Sequence, residues 1–123
     1  MLQPLAIVFY ERIMPGSQLV NRLQDLNYRV LSLNDAERLA ATVQRESPLL
    51  LFVDLATFGD IGGIIAQLKS APATAHLPII AFAPENAPDL LAAAQTAGAN
   101  LAVSETAVVS HLPQLIDQAL RVD

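Results

Sequence analysis

Cysteine is absent from the chain, and histidine occurs only twice, at His76 and His111. Without cysteine there is no disulfide framework, no thiolate metal site and no cysteine nucleophile. The two histidines do not stand at a metal-ligand spacing, and they read as surface residues. No Ser-His-Asp set can be assembled around them. Basic residues are also few: seven Lys and Arg against twelve Asp and Glu, a formal net charge of −5. Nucleic-acid binders need a basic footprint, and here the basic residues are scattered. Binding to anionic membranes is disfavoured for the same reason. No apolar run approaches the length of a membrane span. The run Leu5–Tyr10 is too short for a signal-peptide core and has no basic residue before it. A cytoplasmic location is the default expectation. What is plentiful is apolar material, 53% of the residues against 15% charged. That is enough for a real core and excludes disorder. At 123 residues the expectation is one domain spanning 1–123, with no appended output domain after Arg121-Val122-Asp123.

Five short apolar runs recur: Leu5–Tyr10, Tyr28–Leu33, Leu49–Asp54, Leu77–Phe82 and Asn100–Ser104. The first, third and fourth are apolar on both faces, as strands are in a sheet covered on both sides. The segments between them carry helical spacing. Leu19, Leu23 and Leu26 follow Pro15 as a helix opener. Asn34-Asp35-Ala36-Glu37 reads as a capping box ahead of Leu39 and Val43. Ile61, Ile64, Ile65 and Leu68 form a third stripe, and Leu90, Leu91 and Ala94 a fourth. Gly98 falls where a helix end wants positive φ. Leu112, Leu115, Ile116, Ala119 and Leu120 form the last stripe, with Ser110 as N-cap and Pro113 in the first turn. Strand and helix thus alternate five times. Right-handed crossovers then give an α/β fold, a parallel sheet with helices on both faces. Sites in such sheets form at the carboxyl ends of the strands. The residues there are Tyr10 and Glu11, Asp54, Ala83 and Pro84, and Ser104 and Glu105.

The chain resembles a response-regulator receiver domain over essentially its whole length. From Pro48 onwards a proline, a buried strand and Asp54 at its end are followed eight residues later by Gly62. A proline-led fourth strand, Leu77-Pro78-Ile79-Ile80-Ala81-Phe82, is the second match. Ala97-Gly98-Ala99-Asn100, close to the family's Ala-Gly-Ala-Asp, is the third. The resemblance implies a flavodoxin-like doubly wound (βα)5 fold with a five-stranded parallel sheet in the order 2-1-3-4-5. It makes Asp54 the phosphoacceptor position, with Mg²⁺ held by acids including Glu11 and Asp54 if that acidic site still works, and otherwise no cofactor. It implies no enzyme activity. The partners it implies are a histidine kinase, an output protein or a second copy of the chain.

The departures from the family pattern matter more. Receivers carry two adjacent acids after the first strand, and here those positions are Tyr10 and Glu11. The hydroxyl residue that ends the fourth strand is replaced by Ala83. The lysine after the fifth strand is replaced by Glu105, and the switch aromatic three residues before it by Ala102. Phosphoryl transfer to a carboxylate needs in-line geometry, a divalent cation and positive charge on the equatorial oxygens. Loss of one such stabiliser typically costs on the order of 10²-fold in rate or more, and here two are gone. A Glu11–Asp54–Glu105 cluster offers oxygens to a hard cation such as Mg²⁺ or Ca²⁺, but the spacing is no dedicated metal motif. Alternatively, Asp54 simply caps the following loop, Glu11 is a solvated loop acid and Glu105 faces water.

In receivers the signalling surface is the face formed by the fourth helix, fifth strand and fifth helix. Here Leu90, Leu91, Ala92, Ala93 and Ala94 run together, and Val108 and Val109 precede the fifth helix. One helix face cannot bury five consecutive apolar residues, so Leu90, Leu91, Ala94, Val108, Val109 and Leu112 are candidate interface residues. The plain alternative is that surface alanines raise helix propensity and need no partner. The expected function is a degenerate, pseudo-receiver-like signalling module acting mainly through protein–protein contact, with weak or no phosphorylation at Asp54. The alternatives are a working phosphoacceptor in a two-component phosphorelay and a flavodoxin-like small-molecule binder. The second is disfavoured, since no phosphate-cradling loop follows the first strand.

Overall fold

The computed structural model describes residues 4–10, 13–56 and 61–120. Five strands, β1 (Leu5–Phe9), β2 (Arg29–Leu33), β3 (Leu50–Asp54), β4 (Ile79–Ala83) and β5 (Leu101–Ser104), form one sheet. All neighbours are parallel, in the order β2-β1-β3-β4-β5. This is the expected doubly wound arrangement. Every residue of β1, β3 and β4 is buried, as their two-faced apolar sequences require. The edge strands are more open, and β2 exposes Arg29 and Ser32. A charge on an edge opposes pairing with another chain.

Alternation along the strands divides the core into two layers. Ile7, Phe9, Leu51, Val53, Ile79 and Ala81 pack on one face. They meet α2 (Ala36–Glu46), α3 (Ile61–Ser70) and α4 (Pro88–Ala97) through Leu39, Val43, Ile61, Ile65, Leu68 and Ala94. On the other face Ala6, Val8, Leu50, Phe52, Ile80 and Phe82 meet α1 (Ile13–Asp25), α5 (Glu105–Ser110) and α6 (Leu112–Leu120).

Three local features depart from the sequence expectation. The cap of α2 is Asp35, not Asn34: its carboxylate accepts the Glu37 N–H at 3.0 Å. The residue three positions on is then Arg38, whose Nε lies 3.6 Å from the Asp35 carboxylate. The fifth helical segment is divided in two. Ser104 caps α5 by accepting the Ala107 N–H, so Val108 and Val109 lie within a helix rather than before one. The break comes at His111 because Pro113, early in α6, has no N–H to continue the preceding ladder.

Gly98 ends α4 with φ of 112°, and its N–H closes on the carbonyls of Ala94 and Gln95, as expected. Asn100 explains the rest of that motif. Its N–H donates to the Ile79 carbonyl, and its side-chain oxygen accepts the Ile79 N–H at 3.0 Å and the Lys69 ammonium at 3.1 Å. The motif thereby ties the start of β5 to β4 and α3.

Candidate functional site

The strand register brings the predicted positions to one rim. Phe9 pairs with Val53, Asp54 with Phe82, and Ala83 with Ser104. Tyr10, Asp54, Ala83, Ser104 and Glu105 therefore meet at the carboxyl ends of adjacent strands. Glu11 lies outside the described residues.

Asp54 is the last residue of β3 and is fully buried. A buried carboxylate requires hydrogen-bond partners. Its Oδ1 accepts the Ala56 N–H at 3.0 Å, which closes the turn after the strand. The loop-capping role is thus present, and it leaves open whether Asp54 also reacts. Gly62, eight residues on, has space for a side chain: an added Cβ would meet nothing within 4 Å. Packing does not require a glycine there.

The substituted positions are filled, and each filling has a physical reason. Tyr10 is half-buried and packs against the α1/α5/α6 side of the core. Its ring lies over Gly16 of α1 so closely that a methyl group at position 16 would overlap it. Ala83 is fully buried, and Ala102 is half-buried against the α2/α3/α4 side. Glu105 opens α5 and is half-buried.

Among the described residues no lysine stands at this rim. From Ser70 to Leu120 the sequence contains neither lysine nor arginine. The chain's single lysine, Lys69, is committed to the opposite end of the sheet. There its ammonium donates to the Leu77 carbonyl at 3.0 Å and to Asn100, and partial burial lowers its pKa. Among the described residues no three His, Asp or Glu side chains converge to hold a metal ion; Asp54 and Glu105 are the described acids at these strand ends, and Mg²⁺ is commonly held by one or two carboxylates with waters.

One contact at this rim is not visible in the sequence. Glu85, in the β4–α4 loop, accepts the Thr106 N–H at 3.1 Å across 21 residues. Hydrogen bonds from the Thr106 hydroxyl, then the Thr106 N–H and, more weakly, the Ser104 hydroxyl hold its carboxyl below the usual glutamate range. Nothing in the local sequence marks Glu85. The contact depends on β4 and β5 being neighbours with Ala83 opposite Ser104.

The candidate interface needs correction. Ala94, Val108 and Leu112 are buried at 1%, 0% and 0% exposure. They belong to the core because they sit on the inner faces of α4, α5 and α6, so they are not available to a partner. Leu90 is 37% exposed, and Leu91 and Val109 are half-buried. These three remain as apolar surface, with Ala92 and Ala93 exposed beside them. At the other end of the sheet an open groove of about 860 Å³ runs past Arg29, Ser47, Leu49, His76 and Asn100. It lies away from the end where sites of this fold form.

Known proteins place this architecture. A putative response regulator from Chloroflexus aurantiacus superposes with a TM-score of 0.82 at 18% identity, covering 94% of this chain and 98% of its own. A response regulator from Thermotoga maritima gives 0.80 at 17% identity, covering 97% and 98%. The Mn²⁺-bound form of response regulator Rcp1 gives 0.73 at 15% identity, covering 92% and 88%. No family model matches the sequence, and no curated protein matches it. The fold is that of a response-regulator receiver. Among the described residues no helix is long and apolar enough to cross a membrane.

Proposed function

We propose that this chain is a non-enzymatic signalling module of the receiver type, forming one domain over 1–123 and acting mainly through protein–protein contact, with weak or no phosphorylation at Asp54. The observation that carries this reading is the content of the rim. Of the two acid positions that would help ligate metal one holds Tyr10 and the other keeps Glu11, the positions that would donate a hydroxyl and neutralise a phosphoryl group hold Ala83 and Glu105, and the only lysine is engaged at the far end. Among the described residues, a dianionic group at Asp54 would sit in a site with an added negative charge at Glu105 and no lysine ammonium to offset it. The contact surface is the α4–β5–α5 face, with Leu90, Leu91 and Val109 as its apolar residues. Its partner is another signalling protein, a histidine kinase or an output protein, or a second copy of the chain.

A working phosphoacceptor is the second reading. It is favoured by the burial of Asp54 at the carboxyl end of β3 and by the fold's likeness to a Mn²⁺-bound response regulator. Intact mass after incubation with Mg²⁺ and acetyl phosphate separates the two readings, with Asp54→Asn as control. The proposal predicts no stoichiometric gain of one phosphate, and partner binding that survives Asp54→Asn. A one-phosphate gain abolished by Asp54→Asn would overturn it in favour of the phosphorelay.

A further inference from the structure

We infer that Glu85 is a built-in latch that ties the β4–α4 loop to the head of α5 and fixes the α4–β5–α5 face in one arrangement without a phosphoryl group. The inference rests on the reading of that face as the contact surface. The Glu85 carboxylate, in the loop after β4, accepts the Thr106 N–H in the first turn of α5 at 3.1 Å. In the same turn the Ser104 oxygen accepts the Ala107 N–H at 3.1 Å to start α5. One side chain from the β4–α4 loop thus completes the first turn of a helix 21 residues further on.

The loop is shaped to present that carboxylate. Pro84 precedes Glu85, Pro88 opens α4, and the Ala87 N–H closes a turn onto the Pro84 carbonyl at 3.1 Å. Two fixed φ angles flanking a four-residue turn leave little freedom to lose when Glu85 engages. Below the latch, Ala83 and Ala102 are too small to move between alternative positions as a hydroxyl rotor or an aromatic ring can. The link between the two loops is therefore made by this carboxylate, a permanent anion, and it does not wait for one to arrive.

The test is amide hydrogen exchange and nitrogen–proton correlation spectra of the whole chain in its unphosphorylated state. Wild type is compared with Glu85→Ala, Glu85→Gln and Thr106→Val. In Glu85→Ala the Thr106 amide should exchange about tenfold faster, the factor matching a hydrogen bond of ordinary net strength. Resonances of 84–91 and 104–110 should shift together, and Glu85→Gln should fall between that variant and wild type. Thr106 exchange at the wild-type rate in Glu85→Ala would overturn the latch. Should Glu85→Ala fail to fold, Thr106→Val decides, since it keeps volume and removes one hydroxyl donor. It should then shift the amides of 84–87, and unchanged resonances there would overturn the proposal. Neither readout involves phosphate. A phosphorylated Asp54 would therefore sink the adaptor reading while the latch stood or fell on Thr106.

Discussion

Tyr10 shows how a single residue can close one role and take up another. Its ring packs against the core and over Gly16, so the residue that follows β1 offers apolar surface to the first helix. The pair is coupled through space, which makes a prediction about sign. In an exposed helix interior, glycine to alanine stabilises by about 1 kcal/mol. Gly16→Ala in the wild type should instead destabilise by about 1–3 kcal/mol, the range for overpacking, because the new methyl overlaps the ring. In a Tyr10→Ala background the same change should become stabilising. Urea denaturation of the four proteins in this cycle measures it, and an unchanged sign in both backgrounds would show that ring and glycine do not meet. The sequence displays Tyr10 in an unusual place, but it cannot display the ring's partner. Glu85 is a similar case, since its value lies entirely in a neighbour brought near by the sheet.

Among the elements, the strands were the most legible. Runs apolar on both faces identify β1, β3 and β4 because a doubly covered sheet leaves no polar face to alternate with. Gly98 was legible too, since an α-helix that ends in positive φ strongly favours glycine. The helix starts were less so. Asn34 and Asp35 are both good cap residues, and the choice between them depends on which backbone turns first into helix. The structure selects Asp35. Asp35→Ala should therefore cost about 1 kcal/mol, whereas Asn34→Ala should be close to neutral. Equal losses in thermal or chemical unfolding would contradict that assignment. The short helix α5 was hidden for a different reason. Glu105–Ser110 is too brief to show a periodicity of its own, and Pro113 made the following stretch look like the first helical turn. With Val108 and Leu112 directed inward, much of what reads as a sticky surface in the sequence is core.

At the scale of the molecule, the fold places its two ends under different demands. The amino end of the sheet is tied together by Lys69 and Asn100, which link α3, β4 and β5. The carboxyl end gathers Asp54, Ala83, Ser104, Glu105 and Glu85. The fold was therefore readable from patterning, and the site was readable as a set of positions. What the rim does was not readable, because it depends on how side chains from three separate strand ends satisfy one another. If the proposed function holds, the α4–β5–α5 face keeps one arrangement whether or not a phosphodonor is present. The most direct test is the amide spectrum of the whole chain, recorded with and without Mg²⁺ and acetyl phosphate, at residues 83–91 and 101–110. The account predicts superimposable spectra. Concerted shifts across both segments that disappear in Asp54→Asn would contradict it.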